Sequence, residues 1–179
     1  MTTVRVPKGV VVKSLLRGGV VALAGAAAAL LVGTAWGAGA ATQPRIVKFS
    51  GSYAGLATVK ITDNVADIAA SGAGTGTLLG ASKVTGKGLG DASQQPCVPF
   101  AGPGSLFNTK GTKILFKVLP GSQGCGDEEG NVFSVSGRAQ VLGGTKVYRK
   151  AKGALKLTGV YDRGAGTFKV KLTGKITVP

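Results

Sequence analysis

Histidine is absent from this 179-residue chain, and that gap closes several routes to chemistry. Without imidazole, neither a Ser-His-Asp nor a Cys-His catalytic arrangement can form. Imidazole ligation of a metal is lost with it, and two cysteines alone cannot complete a structural zinc site. Acidic residues are scarce too, with seven Asp/Glu against 22 Lys/Arg. Their only cluster, Asp127-Glu128-Glu129, is flanked by Gly126 and Gly130. It lacks EF-hand spacing, and adjacent carboxylates in a tight turn cannot all face one ion, so it reads as a solvated turn and not a calcium loop. The segment Gly72–Gly76 shares only composition with a phosphate-binding loop, since no Lys-Ser/Thr pair and no helical pattern follow it. No metal and no cofactor are expected.

The charge that is present is lopsided. Residues 1–41 hold four cations (Arg5, Lys8, Lys13, Arg17) and no acid. An Ala/Leu/Val/Gly run from Gly18 to Trp36 follows, and Ala38-Gly39-Ala40 then offers an A-x-A cleavage site before Ala41. Basic, apolar and small-residue regions in that order form a secretory signal peptide. Residues 1–41 are therefore expected to be a leader, and 42–179 a single domain that folds outside the cell. The alternative is an uncleaved membrane anchor over residues 18–36, because about 20 apolar residues span a bilayer. The predominance of Ala and Gly, and the lack of a basic stop-transfer cluster after the run, favour cleavage. No Cys follows the run to carry a lipid, and no Arg-Arg pair precedes it. Beyond the leader stand 18 cations and 7 acids, a net of +11. An excess of this size bears on contacts with anions and not on fold. Anionic cell-wall polymers, acidic glycans and anionic lipid are thus the expected contacts. Nucleic acid is not, because the protein is exported and its lysines are spread along the chain. The membrane is expected to be met only transiently, through the leader.

After residue 41 no stretch sustains a helical period, whereas alternation with period two recurs. From Thr167 to Val178, Phe168, Val170, Leu172, Ile176 and Val178 share one face, and Lys169, Lys171, Thr173, Lys175 and Thr177 the other. This predicts a strand with one buried and one wet face. Leu155, Leu157 and Tyr161 alternate similarly, and Asp162-Arg163-Gly164-Ala165-Gly166 would connect 154–161 to 167–178 as a hairpin. Further strands are predicted around Phe133–Val141 and Ile114–Val118, over Leu56–Thr62, over Val65–Ala69 after an Asp63-Asn64 turn, and over Thr75–Lys87. Glycines inside these strands, such as Gly137, Gly159 and Gly174, mark bends or close approaches. Short, glycine-bent strands favour an all-β, small antiparallel closed barrel, which also removes unpaired edges. Two cysteines in an exported chain favour a disulfide, Cys97–Cys125. It would close the segment 97–125, worth roughly 3–4 kcal/mol on the loop-entropy model. Gly and Pro around both cysteines suggest that it joins two loops.

The stretch Val141-Leu142-Gly143-Gly144-Thr145-Lys146-Val147-Tyr148-Arg149-Lys150-Ala151-Lys152-Gly153 resembles the Gly-Gly-Thr-Gly-x-Phe-x-x-Ala-x-Gly signature of dirigent-like and allene oxide cyclase-like barrels. The run Gly74–Gly80 looks like the Gly-rich start of a strand in bacterial members, and Gly166–Val178 is similar to the family's final strand. The resemblance covers about half of the chain beyond the leader, all of it structural in character. It implies an eight-stranded antiparallel barrel whose apolar interior binds small hydrophobic or phenolic molecules and guides their cyclisation or coupling. Two positions depart from the signature: Lys146 replaces its third glycine and Tyr148 its Phe. The Asp, Arg and Tyr residues of plant dirigents have no counterpart that can be placed, so no catalytic residue carries over.

Few residues remain as functional candidates. Asp67 interrupts an apolar run and would serve as a general acid if it pointed inward, although an outward position between Ala66 and Ile68 is favoured. Tyr53, Tyr148 and Tyr161 could line a pocket, with packing as their default role. Lys146, Arg149, Lys150 and Lys152 surround Tyr148 and are the best candidates for anion contact. The expected function is a secreted, non-catalytic barrel that binds a small apolar ligand or a surface polymer. The alternatives are a confinement-type cyclase or coupling protein, which needs few catalytic groups, and a basic cell-surface adhesion module.

Overall fold

The computed structural model describes residues 43–179. The leader, its cleavage point and the alternative anchor over residues 18–36 lie outside the described residues. Eight strands follow one another: β1 (Arg45–Thr62), β2 (Val65–Gly76), β3 (Gly80–Asp91), β4 (Cys97–Phe107), β5 (Lys113–Gly126), β6 (Val132–Gly144), β7 (Lys152–Asp162) and β8 (Thr167–Val178). Each pairs antiparallel with its sequence neighbour, and β8 pairs with β1, so the sheet closes into an up-and-down barrel. A 3-10 turn, Lys146–Tyr148, lies between β6 and β7. Eight strands enclose an interior just wide enough to be filled by side chains or to hold one small ligand.

The predicted alternation decides which face turns in. In β8, Phe168, Leu172, Ile176 and Val178 are buried while Lys169, Lys171 and Lys175 are exposed. The connection 163–166 joins β7 to β8 as expected, and Asp63 and Asn64 both take positive φ in the β1–β2 turn, the geometry of a two-residue hairpin.

Three expectations are corrected. Thr75–Lys87 is not one strand, because a turn at 77–79 divides it between β2 and β3. Thr77 fastens that turn, its Oγ1 donating to the Ser50 carbonyl at 2.8 Å and accepting from the Ser50 amide at 3.0 Å. Leu79 folds back into the core, which is why the run reads as continuously apolar. Cys97 and Cys125 form the expected disulfide, but they join strands and not loops, standing opposite one another in the β4–β5 register. The strand β4 itself was concealed by Pro99 and Pro103. Both fall at positions left out of the β3–β4 register, where a missing N–H breaks no ladder bond on that side. Lastly, β1 reaches upstream of Leu56 to Arg45.

The inward faces fill one half of the barrel. Phe49, Tyr53, Leu79, Leu106, Ile114, Val141, Tyr148, Leu155 and Ile176 pack into a plug at the end that carries the β2–β3, β4–β5 and β6–β7 connections. The segment 141–153 builds the cover of this plug. A side chain at Gly144 would collide with the Lys113 carbonyl, and one at Gly153 with the Lys175 carbonyl. Thr145 Oγ1 accepts from the Lys113 amide at 2.8 Å and donates to the Gly111 carbonyl at 3.1 Å. Ala151 is fully buried. Lys146, where the signature has glycine, adopts φ +54°.

Candidate functional site

The other half of the barrel is not filled. Inward positions there are small or bare, as at Ala57, Ala66, Ala70, Gly86, Gly102 and Gly124, and they surround a cavity of about 240 Å³ to which all eight strands contribute. Phe116, Leu157, Phe168 and Leu172 lie where this chamber meets the plug. Val59, Ile61, Val118, Val135 and Val170 form much of its wall. Val59 and Ile61 face inward yet remain 36% and 52% exposed, because the chamber opens to solvent beside them. The polar side chains among its lining residues are few, and Tyr161, Gln95 and Arg163 belong to the mouth or near it.

Backbone bonds tie the mouth together around its circumference. The Ala92 amide donates to the Asn64 carbonyl at 2.7 Å, joining the β3–β4 loop to the β1–β2 turn. Gly126 donates to Pro96 at 2.9 Å, Arg163 to Asn131 at 2.8 Å, and Ala57 to Gly166 at 2.8 Å. The Cys97–Cys125 disulfide reinforces this circuit at its β4–β5 segment. Asp91 fixes the start of the β3–β4 loop. Bonds from the Ser93 hydroxyl (2.6 Å), the Gln94 amide (2.8 Å) and the Ser93 backbone hold its carboxyl below the ordinary value. A mouth held open in this way spends no ordering free energy when a ligand enters.

The sequence candidates scatter across this frame. Asp67 is exposed on the outer face, opposite Lys60 and Leu89, and does not line the chamber. Tyr161 does line it, its ring 6.1 Å from that of Phe133. Tyr53 belongs to the plug, 2% exposed, with its hydroxyl 3.2 Å from Ser82 Oγ. Burial raises the Tyr53 hydroxyl above its ordinary pKa, an effect the Ser82 bond partly opposes. Tyr148 also belongs to the plug, donating to the Leu78 carbonyl at 3.1 Å. Lys146, Arg149, Lys150 and Lys152 are exposed around the plug cover, far along the barrel axis from the mouth. In Asp127-Glu128-Glu129, Asp127 accepts from the Asn131 and Val132 amides at 2.8 and 3.2 Å and so holds its own turn. Among the described residues no group of acids and cysteines is placed to hold a metal.

Asp63, Asp67, Asp91, Asp127, Glu128, Glu129 and Asp162, all seven acids of the chain, lie at or near the mouth. An up-and-down meander brings alternate connections to the same end, and the acids occupy the odd-numbered ones and the strand ends beside them. The plug end carries cations and no acid. Comparison with protein-family models, with curated proteins and with solved structures returns no match for this chain.

Proposed function

We propose that this protein is an exported carrier or scavenger of a small apolar molecule, held in the open half of the barrel. The observation that carries the reading is the uncovered apolar chamber itself. Apolar surface left in water costs about 25 cal/mol per Å², and a fold able to fill one half of its barrel with Phe, Tyr, Leu and Ile leaves the other half hollow, with Phe100, Phe133, Ile61 and Ile68 in its wall beside Ala, Gly and Val. At about 240 Å³ the chamber is larger than the ~150 Å³ apolar cavity that accepts benzene. It is smaller than the ~300–1,000 Å³ pockets of drug-sized ligands. A compound of one or two rings, or a short branched hydrocarbon, matches that size. The dirigent-like resemblance of 141–153 and 166–178 supports the same reading, since Lys146 takes the left-handed backbone that the signature's glycine favours.

Binding is favoured over confinement catalysis because Asp67, the one acid considered for the role, points away from the chamber. Tyr161 and Arg163 remain to orient a phenolic or carbonyl oxygen at the mouth. Native mass spectrometry of protein recovered from the expressing cells tests the proposal. A non-covalent adduct of low mass is expected. A Val135→Phe variant, which builds a ring into the chamber, should lose the adduct and bind a naphthalene probe at least tenfold more weakly. Unchanged probe binding in that variant overturns the reading.

A further inference from the structure

The plug end of the barrel differs from the mouth in charge and also in how it exposes apolar side chains. Lys48, Lys110, Lys146, Lys150, Lys152 and Lys175 are exposed there with Arg45 and Arg149, and no acid lies among them. Some of these cations are crowded together: Lys48 stands directly opposite Lys175 in the β1–β8 register, and among the described residues the acidic side chains all lie toward the other end. Such an arrangement raises the free energy of the isolated face and favours an anionic counterpart. Ile46, Leu142 and Val147 are set among the cations, 67%, 57% and 63% exposed. Val147 is the most deliberate of the three. The buried Tyr148 and Ala151 and the Thr145 bonds fix its turn from within, so that Val147 projects between Lys146 and Arg149.

We infer that this end docks the barrel on a bilayer surface bearing anionic headgroups. Cations around projecting aliphatic side chains suit a headgroup layer, where charge meets phosphate and the apolar tips reach the acyl boundary. A hydrated polyanion would use the charges but not Ile46, Leu142 and Val147. A barrel held by its plug end turns the opening of the chamber, at the opposite end, toward solution.

Lysine footprinting of the full chain tests it. The protein is exposed to an amine-reactive label alone, with phosphatidylcholine vesicles, and with vesicles that also contain phosphatidylglycerol. The four cations of residues 1–41 also favour phosphatidylglycerol, so protection that persists in the plug-end variants below is assigned to them. On phosphatidylglycerol vesicles, Lys110, Lys146, Lys150 and Lys152 should label severalfold more slowly, while Lys60 and Lys87 near the mouth keep their rate. Val147→Asp, and separately the triple variant Lys146→Glu, Lys150→Glu, Lys152→Glu, should abolish the added protection at the remaining plug-end lysines with the far-ultraviolet spectrum of the barrel retained. Equal protection at both ends, or none at the plug end, overturns the inference. Protection by soluble polyphosphate but not by phosphatidylglycerol vesicles also overturns it, and would make the partner an anionic polymer.

Discussion

The two halves of this barrel are made from the same eight strands, with the same alternation, and differ in how far their inward side chains fill the interior. β1 shows the contrast within one strand: Phe49 and Tyr53 fill the plug, whereas Ala57 leaves the chamber open. Alternation alone therefore fixes which face turns inward, and residue volume at each level decides whether that interior is solid or hollow. Polarity follows the same division, with every acid at the hollow end and the acid-free cluster of cations at the solid one. The solid half is expected to carry the stability and the hollow half the binding.

Truncation separates the halves most sharply. Ile114 and Leu106 are fully buried in the plug, so Ile114→Ala or Leu106→Ala should cost roughly 2–5 kcal/mol. Val135→Ala in the half-buried chamber wall removes little packing and should cost about 1 kcal/mol or less. Denaturant melts of the three variants check this, and equal losses would erase the distinction. Next in size is the disulfide at the mouth. Its reduction should lower global stability by about 3 kcal/mol and loosen the β4–β5 edge of the chamber, seen as faster amide exchange at Val98 and Gly124. An unchanged melt on reduction would mean that the bonded mouth stands without it.

The smallest effect concerns Tyr53. Its folded pKa is raised, so its contribution is fully present below the unfolded value of about 10. It is lost as pH climbs from there through the folded value, because the unfolded state releases the proton first. Melts above about pH 10 should therefore fall more steeply for the native chain than for Tyr53→Phe. Parallel curves would place that hydroxyl outside the packed half.

Much of this was legible in the residues. The β7–β8 hairpin, the inward face of β6 and the cysteine pairing all follow from alternation, turn chemistry and compartment. β4 was not legible, because Pro99 and Pro103 look like strand breakers until the gaps in its pairing with β3 are known. Leu78 and Leu79 masked the β2–β3 turn, since an apolar turn that folds into a plug cannot be told from a strand by periodicity. The chamber was hidden for a different reason. Ala57, Ala70 and Gly86 stand side by side only in the β1–β2–β3 register, and closure of the barrel adds Gly124 of β5 to the same cavity. The gathering of acids at the mouth was closer to hand: once eight up-and-down strands are counted, positions 63, 91, 127–129 and 162 all fall at the odd-numbered connections.

The central claim, a hollow apolar half beneath an open mouth, is tested most directly by methyl NMR during titration with naphthalene. Methyl signals of Ala57, Ala66, Ala70 and Val135 should shift and saturate together, while those of Leu106, Ile114 and Ile176 in the plug stay in place. Shifts confined to the outer-face methyls of Leu56 and Leu115, or no saturable shift at all, would contradict it.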